Sequence, residues 1–202
     1  IMKFGGTSVG TPGRMRSIIP LINGEEKVIV VLSALSGTTN SLVEITDLLY
    51  AGKQDEAVRK TEILRSKYHD VISEIYSTEE YKHSVKSLID SHFDLIGKFP
   101  ARSFSRQDEK SIVAQGELMS TAMFHNLLLE NNIGSVLLPA LSFMRIDKDG
   151  EPDSFYISEN FNRELKNHSE ADIIVTQGFI CRNAYGEIDN LKRGGSDFTA
   201  SL

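Results

Sequence analysis

Residues 28–33 form a continuous, β-branched run closed by Ser-Ala-Leu-Ser-Gly, and residues 172–176 form a second run closed by Gln-Gly. Runs without a polar face predict strands covered on both sides, as in parallel sheets. Between residues 11 and 22, Met15, Ile18, Ile19 and Ile22 recur at helical spacing, with Pro12 tolerated in the first turn. Strand, turn, helix and strand then make a βαβ unit. Helical patterning continues from 41 to 97. Leu64, Tyr68, Val71 and Ile75 make one stripe, Val85, Ile89, His92 and Ile96 another, and Ser77-Thr78-Glu79 reads as the joint and cap between them. This predicts a helical hairpin inserted into the α/β scheme, there for packing or a dimer contact and not for chemistry.

Further on, one helix is predicted over 107–130, with Ile112, Met119, Met123 and Leu127 on one face and Glu117, Ser120, Thr121 and Phe124 on another. A short strand is expected over 134–138, a helix over 158–168 capped by Ser158, and an irregular or hairpin excursion over 181–190 around Asn183 and Gly186. A last helix begins near Ser196 and has scarcely a turn before Leu202, so the chain reads as a fragment. At 202 residues with 40% hydrophobic positions it is nonetheless long enough for a sizeable core.

The chemistry concentrates at the two ends. Lys3-Phe4-Gly5-Gly6-Thr7-Ser8-Val9-Gly10 puts a lysine, a glycine pair and two hydroxyls directly after the first strand. Adjacent glycines let backbone N–H groups approach an anion closely, and a following helix would aim its positive end at the same point. The spacing is not a P-loop, because Thr11-Pro12 stands where Lys-Ser/Thr should follow Gly10, and there is no G-x-G-x-x-G. Leu191-Lys192-Arg193-Gly194-Gly195-Ser196-Asp197 repeats the order of cation, Gly-Gly and hydroxyl. Phosphoryl transfer asks for such cations and amide donors, and a carboxylate acceptor, ionised at pH 7, needs no general base. An amino-acid acceptor adds a demand for a guanidinium and for carboxylates, which Arg193, Glu117 and Asp197 can meet.

With Val28–Asn40, Gln115-Gly116-Glu117-Leu118-Met119-Ser120 and Thr176-Gln177-Gly178-Phe179-Ile180, the two turns make five segments whose order resembles the aspartokinases of the amino acid kinase family. The resemblance spans the whole chain. It implies a three-layer αβα sandwich with a mostly parallel central sheet, and it places residues 1–202 in the N-terminal, amino-acid-substrate part of the kinase domain, ahead of most of the nucleotide-binding part. It implies MgATP-dependent phosphorylation of the β-carboxylate of L-aspartate to 4-phospho-L-aspartate, towards lysine, threonine and methionine, with little or no activity in the fragment alone. The positions matching the family's catalytic set are Lys3, Arg193 and Asp197. Those around the substrate are Ser33, Thr39, Glu117, Phe179, Arg193, Ser196 and Asp197, and Lys3, Gly5, Gly6, Thr7 and Ser8 would face the phosphates of ATP, with ATP and Mg2+ as the implied cofactors. The intact protein would be a homo-oligomer, and regulatory ACT domains or a fused homoserine dehydrogenase follow the kinase domain in such relatives. Two positions depart from the family pattern: Lys192 stands where glycine is common and Gln115 where histidine is.

Taken singly, each of these residues has a plainer reading. Lys3 also fits a solvated strand end, Glu117 an exposed helix carboxylate, Asp197 a first-turn helix acid, Thr39 an N-cap and Ser33 a strand end. The five histidines show no metal-ligand spacing and read as surface or packing residues, so no metal site is assigned. The net charge of −6 leaves no basic stripe for nucleic acid, and no apolar run is long enough to span a bilayer. The single Cys181 excludes an internal disulfide and suits a cytoplasmic setting, and the opening residues read as a strand rather than a signal. The alternatives to an aspartate kinase are another amino acid kinase, such as a glutamate-kinase-like enzyme, and a small-molecule-binding module without turnover.

Overall fold

The computed structural model describes residues 1–24, 27–99, 101–192 and 194–201, with Arg102 by its backbone alone. Its centre is a sheet of β1 (Met2–Phe4), β2 (Val28–Leu32), β3 (Val136–Leu137) and β4 (Ile173–Gln177), in the order β1-β2-β4-β3 with every pairing parallel. The two runs that look doubly buried in sequence are the inner pair. Val28, Val30, Leu32, Ile173 and Val175 belong to one apolar cluster, whereas Ile174 belongs to another, with Ile29 packed against that one. Alternation along a strand divides the two clusters between the faces of the sheet. The third strand is shorter than the 134–138 expected.

The first face carries α1 (Pro12–Arg16), α2 (Ile19–Ile22), α3 (Thr38–Tyr50), α4 (Gln54–Ile75), α5 (Glu79–Gly97), α6 (Arg106–Val113) and α7 (Gln115–Glu130). On the second face lies α8 (Ser154–Asn167), and α9 (Gly195–Ser201) packs along β1 and β2. An antiparallel hairpin of β5 (Ile180–Arg182) and β6 (Ile188–Asn190) accounts for the excursion at 181–190. Helix, sheet and helix make the three layers.

Several boundaries differ from the periodicity for local reasons. The helix expected over 11–22 is two short pieces, because Pro20 has no N–H for the ladder and its ring crowds the carbonyl four residues back. The region 41–97 holds three helices; Gly52, at φ +73°, makes the additional break, while Thr78 caps α5 by accepting from Tyr81 N as expected. The helix expected over 107–130 divides at Ala114, where the Gln115 side-chain amide donates to Ser111 O at 2.9 Å and Gln115 Oε1 bonds His92 Nδ1 at 2.7 Å. The eighth helix starts four residues early, its cap being Asp153, which accepts from Tyr156 N, and not Ser158.

Candidate active site

Because all four strands run the same way, their C-terminal ends share one edge of the sheet, and the loops that leave them meet there. The first strand runs into Gly5-Gly6, the second into Ser33–Gly37 and the fourth into Gly178-Phe179. Hydrogen bonds from Ser33 N to Phe4 O (3.1 Å) and from Gly178 N to Leu32 O (2.9 Å) carry the ladder past the strand ends and fix these loops side by side. Between them lies a cleft of about 450 Å³ lined by Lys3, Gly6, Thr7, the Ser33–Gly37 turn, Thr39, Asn40, Glu117, Phe179 and Gly194–Asp197.

Glu117 is buried, at 3% exposure, which overturns its reading as an exposed helix carboxylate. Its helix is wrapped by protein on nearly every side, so the apolar stripe does not mark the only inward face. Ala34 N donates to Glu117 Oε1 at 3.3 Å, and Oε2 is buried with no partner among the described residues. Burial pushes this carboxyl up to about 7, against a smaller lowering by the Ala34 amide. A buried, half-satisfied carboxylate on a cleft wall is costly unless a cation or donor enters.

A polar scaffold holds that carboxylate in place. Ser120 Oγ donates to Ser33 O (2.7 Å), Thr121 Oγ1 donates to Glu117 O (2.8 Å), and Gln177 ties Thr121 to the backbone of Ala140. Ser120 and Thr121 stand three and four residues beyond Glu117, the spacing that puts them on its side of the helix. Gln177 escapes sequence reasoning, since it closes a buried run as if it were only a strand end.

On the opposite wall the ninth helix begins against the end of the fourth strand. A Cβ on Gly178 would lie 2.6 Å from Ser196 Cβ, and one on Gly195 would lie 2.6 Å from Leu191 Cβ. Only glycine at both positions lets the chain pass so close. Ser196 Oγ accepts from Ser33 Oγ at 2.9 Å, and Lys3 Nζ pairs with Asp197 Oδ1 at 2.8 Å across the mouth. Phe179 sits on the wall at φ +68°, a left-handed backbone rare for an aromatic residue.

Lys3, Ser33, Thr39, Glu117, Phe179, Ser196 and Asp197 therefore share one cleft, with Gly6 and Thr7 from the first glycine turn. Ser8 is not brought in: it lines a separate depression with Arg14 and Leu21, because the turn Gly5–Ser8 closes on itself through Ser8 N to Gly5 O at 2.8 Å. Gly5 is not among the residues that line the cleft, and a Cβ on it would lie 3.4 Å from Lys3 Nζ. Arg193 lies outside the described residues. Lys192 turns away to Glu151, 3.2 Å from its Nζ. Ser36, Gly37 and Asn40 join the lining without having been singled out, although their polar run after a buried strand is a signal of a strand-end loop.

The amino acid kinase family model matches residues 1–202. The chain belongs to the amino acid kinase family. Within this family it is 30% identical to the lysine-sensitive aspartokinase 3 of Escherichia coli (strain K12) over the whole of this chain and 45% of that protein. The aspartokinase of Chlamydia muridarum is 28% identical, again over all of this chain and 44% of its own length. The crystal structure of E. coli aspartokinase III with lysine and aspartate superposes with a TM-score of 0.86 over 99% of this chain at 29% identity. The same enzyme with aspartate and ADP gives 0.75 at 28%. The chain thus spans less than half the length of these relatives. Among its described residues no helix is long and apolar enough to cross a membrane.

Proposed function

We propose that this kinase-family chain supplies the acceptor side of an aspartate kinase, which moves the γ-phosphoryl group of ATP to the β-carboxylate of L-aspartate in the cytoplasm. The observation that carries the reading is the buried Glu117 carboxylate, with one oxygen unpartnered, on a cleft whose mouth holds the Lys3–Asp197 pair. An α-ammonium group fits the vacant oxygen, and Asp197 supplies a second carboxylate for it. The E. coli relative, crystallised twice with aspartate, favours this acceptor, and the family's use of an arginine at the position of Arg193 assigns that residue the α-carboxylate.

In the reaction, an oxygen of the ionised β-carboxylate attacks the γ-phosphorus, the bond from that phosphorus to the bridging oxygen of ADP breaks, and 4-phospho-L-aspartate and ADP leave. Lys3 neutralises charge on the transferring group, and the turn at Gly6 and Thr7 offers backbone N–H groups to the phosphates. Glu117 holds the substrate by its ammonium end and so turns its β-carboxylate outward. A protein-held Mg2+ does not fit the described part of this cleft. Its carboxylates there are Glu117, which is sunk beside an amide, and Asp197, which is on Lys3, and no group of three acidic, histidine or cysteine side chains gathers among the described residues. The metal is assigned to the nucleotide phosphates, and no step here depends on it.

Formation of ADP by the intact protein, with L-aspartate and L-glutamate compared as acceptors, tests the assignment. Turnover with aspartate and at least a hundredfold less with glutamate is expected. Preference for glutamate would transfer the chain to another acceptor class, and ligand binding without turnover would make it a binding module.

A further inference from the structure

The helical hairpin of the fourth and fifth helices has no side chain in the cleft, yet two consecutive residues on it grip the loop that forms one cleft wall. Lys67 Nζ donates to Ser36 O at 2.9 Å, and Tyr68 OH shares a hydrogen bond of 3.0 Å with Thr38 Oγ1. These bonds land on either side of Gly37, the left-handed residue (φ +79°) at which the loop turns into the third helix. That helix start has no side-chain cap of its own, and Thr38 N is satisfied by Leu35 O (2.9 Å) within the turn. Thr38 and Tyr68 are fully buried, and Tyr68 is wedged edge-on against Phe93 of the fifth helix at 5.5 Å, so the phenol is held in position from behind. Thr39 and Asn40, the next two residues, line the cleft.

We propose that Lys67 and Tyr68 are positioning residues for the acceptor, setting the pose of the Ser36–Asn40 wall against Glu117 from the inserted hairpin. Two features distinguish this from general packing. Burial, with a smaller contribution from the Glu117 charge, raises the pKa of the Tyr68 phenol, so it stays a protonated hydroxyl able to share its buried bond with Thr38. The pair also acts on a loop carbonyl and a loop hydroxyl, the groups that fix a backbone pose, where apolar contacts alone would allow it to slide.

This inference rests on aspartate as the acceptor, so the test carries one readout that needs the ligand and one that does not. In the intact protein, Tyr68→Phe and Thr38→Val should each raise the Kd and KM for L-aspartate by about 5- to 10-fold, the worth of one buried hydrogen bond. The KM for ATP should change less than twofold. The double variant should be no worse than either single change, Thr38→Ser should restore aspartate affinity, and Lys67→Met, at a more exposed site, should cost about twofold. Amide exchange over 36–40 should quicken in Tyr68→Phe with the rest of the sheet edge unchanged. Lowered Tm with unchanged aspartate Kd, or additive effects in the double variant, would reduce the pair to a packing role and overturn the proposal. If the unaltered protein fails to bind aspartate, the acceptor assignment falls, and local exchange alone decides whether the hairpin holds the loop.

Discussion

The two walls of the cleft are held by different means. On one side, the Ser33–Asn40 loop and Glu117 are tied by hydrogen bonds to the fourth and seventh helices, through Lys67, Tyr68, Ser120 and Thr121. On the other, Gly194–Asp197 is seated by close backbone approach, with no room for a Cβ at Gly178 or Gly195 and one hydroxyl pair, Ser33–Ser196, bridging to the first wall. A bonded wall should tolerate changes of shape better than changes of polarity, and a packed wall the reverse. The first glycine of each pair and its neighbour are seated differently, and a Cβ on Gly6 would come 3.1 Å from Ala34 O. Gly194 takes φ +85°, and Gly195 presses on Leu191 and Phe179, whereas a Cβ on Gly5 would meet only the flexible end of Lys3, at 3.4 Å.

The largest effect should come from the bonded wall. The Glu117 carboxyl titrates at about 7 when folded against 4.5 as a free side chain, so between those values the folded chain holds a proton that the unfolded chain has lost. Stability from this group is therefore greatest below about pH 4.5, falls as pH rises to about 7 by roughly 3 kcal/mol, and is level above that. Chemical denaturation of Glu117→Gln across pH 5 to 8 should lack this fall relative to the parent chain, and an unchanged slope would break the comparison. Next is the packed wall: Gly178→Ala should cost about 2 kcal/mol or more and lower Tm by several degrees. Ser196→Ala removes one hydroxyl and keeps the Cβ that packs on Gly178, and should cost about 1 kcal/mol or less. Gly5→Ala should change stability by under about 0.5 kcal/mol, since the Lys3 side chain can yield. Equal losses for Gly5→Ala and Gly178→Ala in thermal melts would contradict the account of the packed wall.

Much of this fold could be read from apolar patterning, because a parallel strand buried on both faces leaves an unbroken run, and the second and fourth strands do so. The hairpin joint at Ser77-Thr78-Glu79 was equally plain, since a capping threonine acts within one turn. Places where a side chain overrides periodicity were hidden. Gln115 bonding its own helix at Ser111 O and the proline-split first helix are local events that a stripe of apolar residues does not register. The chemistry at the glycine turns was visible as residue types in order, but Glu117 looked exposed because burial by several helices at once leaves no polar face to count. The roles of Lys67 and Tyr68 could not be read at all. Tyr68 fits an apolar stripe, and only the fold brings its hydroxyl to Thr38, thirty residues away in the chain.

The measurement that tests the central claim most directly is calorimetric titration of L-aspartate into the protein between pH 6 and 8, in buffers of different ionisation enthalpy, with Glu117→Gln alongside. If the α-ammonium group of aspartate meets the Glu117 carboxylate, binding favours the ionised form. Affinity should then rise with pH up to about 7, protons should be released below that value, and Glu117→Gln should bind about a hundredfold more weakly without releasing them. Affinity that is flat with pH and unaltered by Glu117→Gln would contradict the placement of the substrate in this cleft.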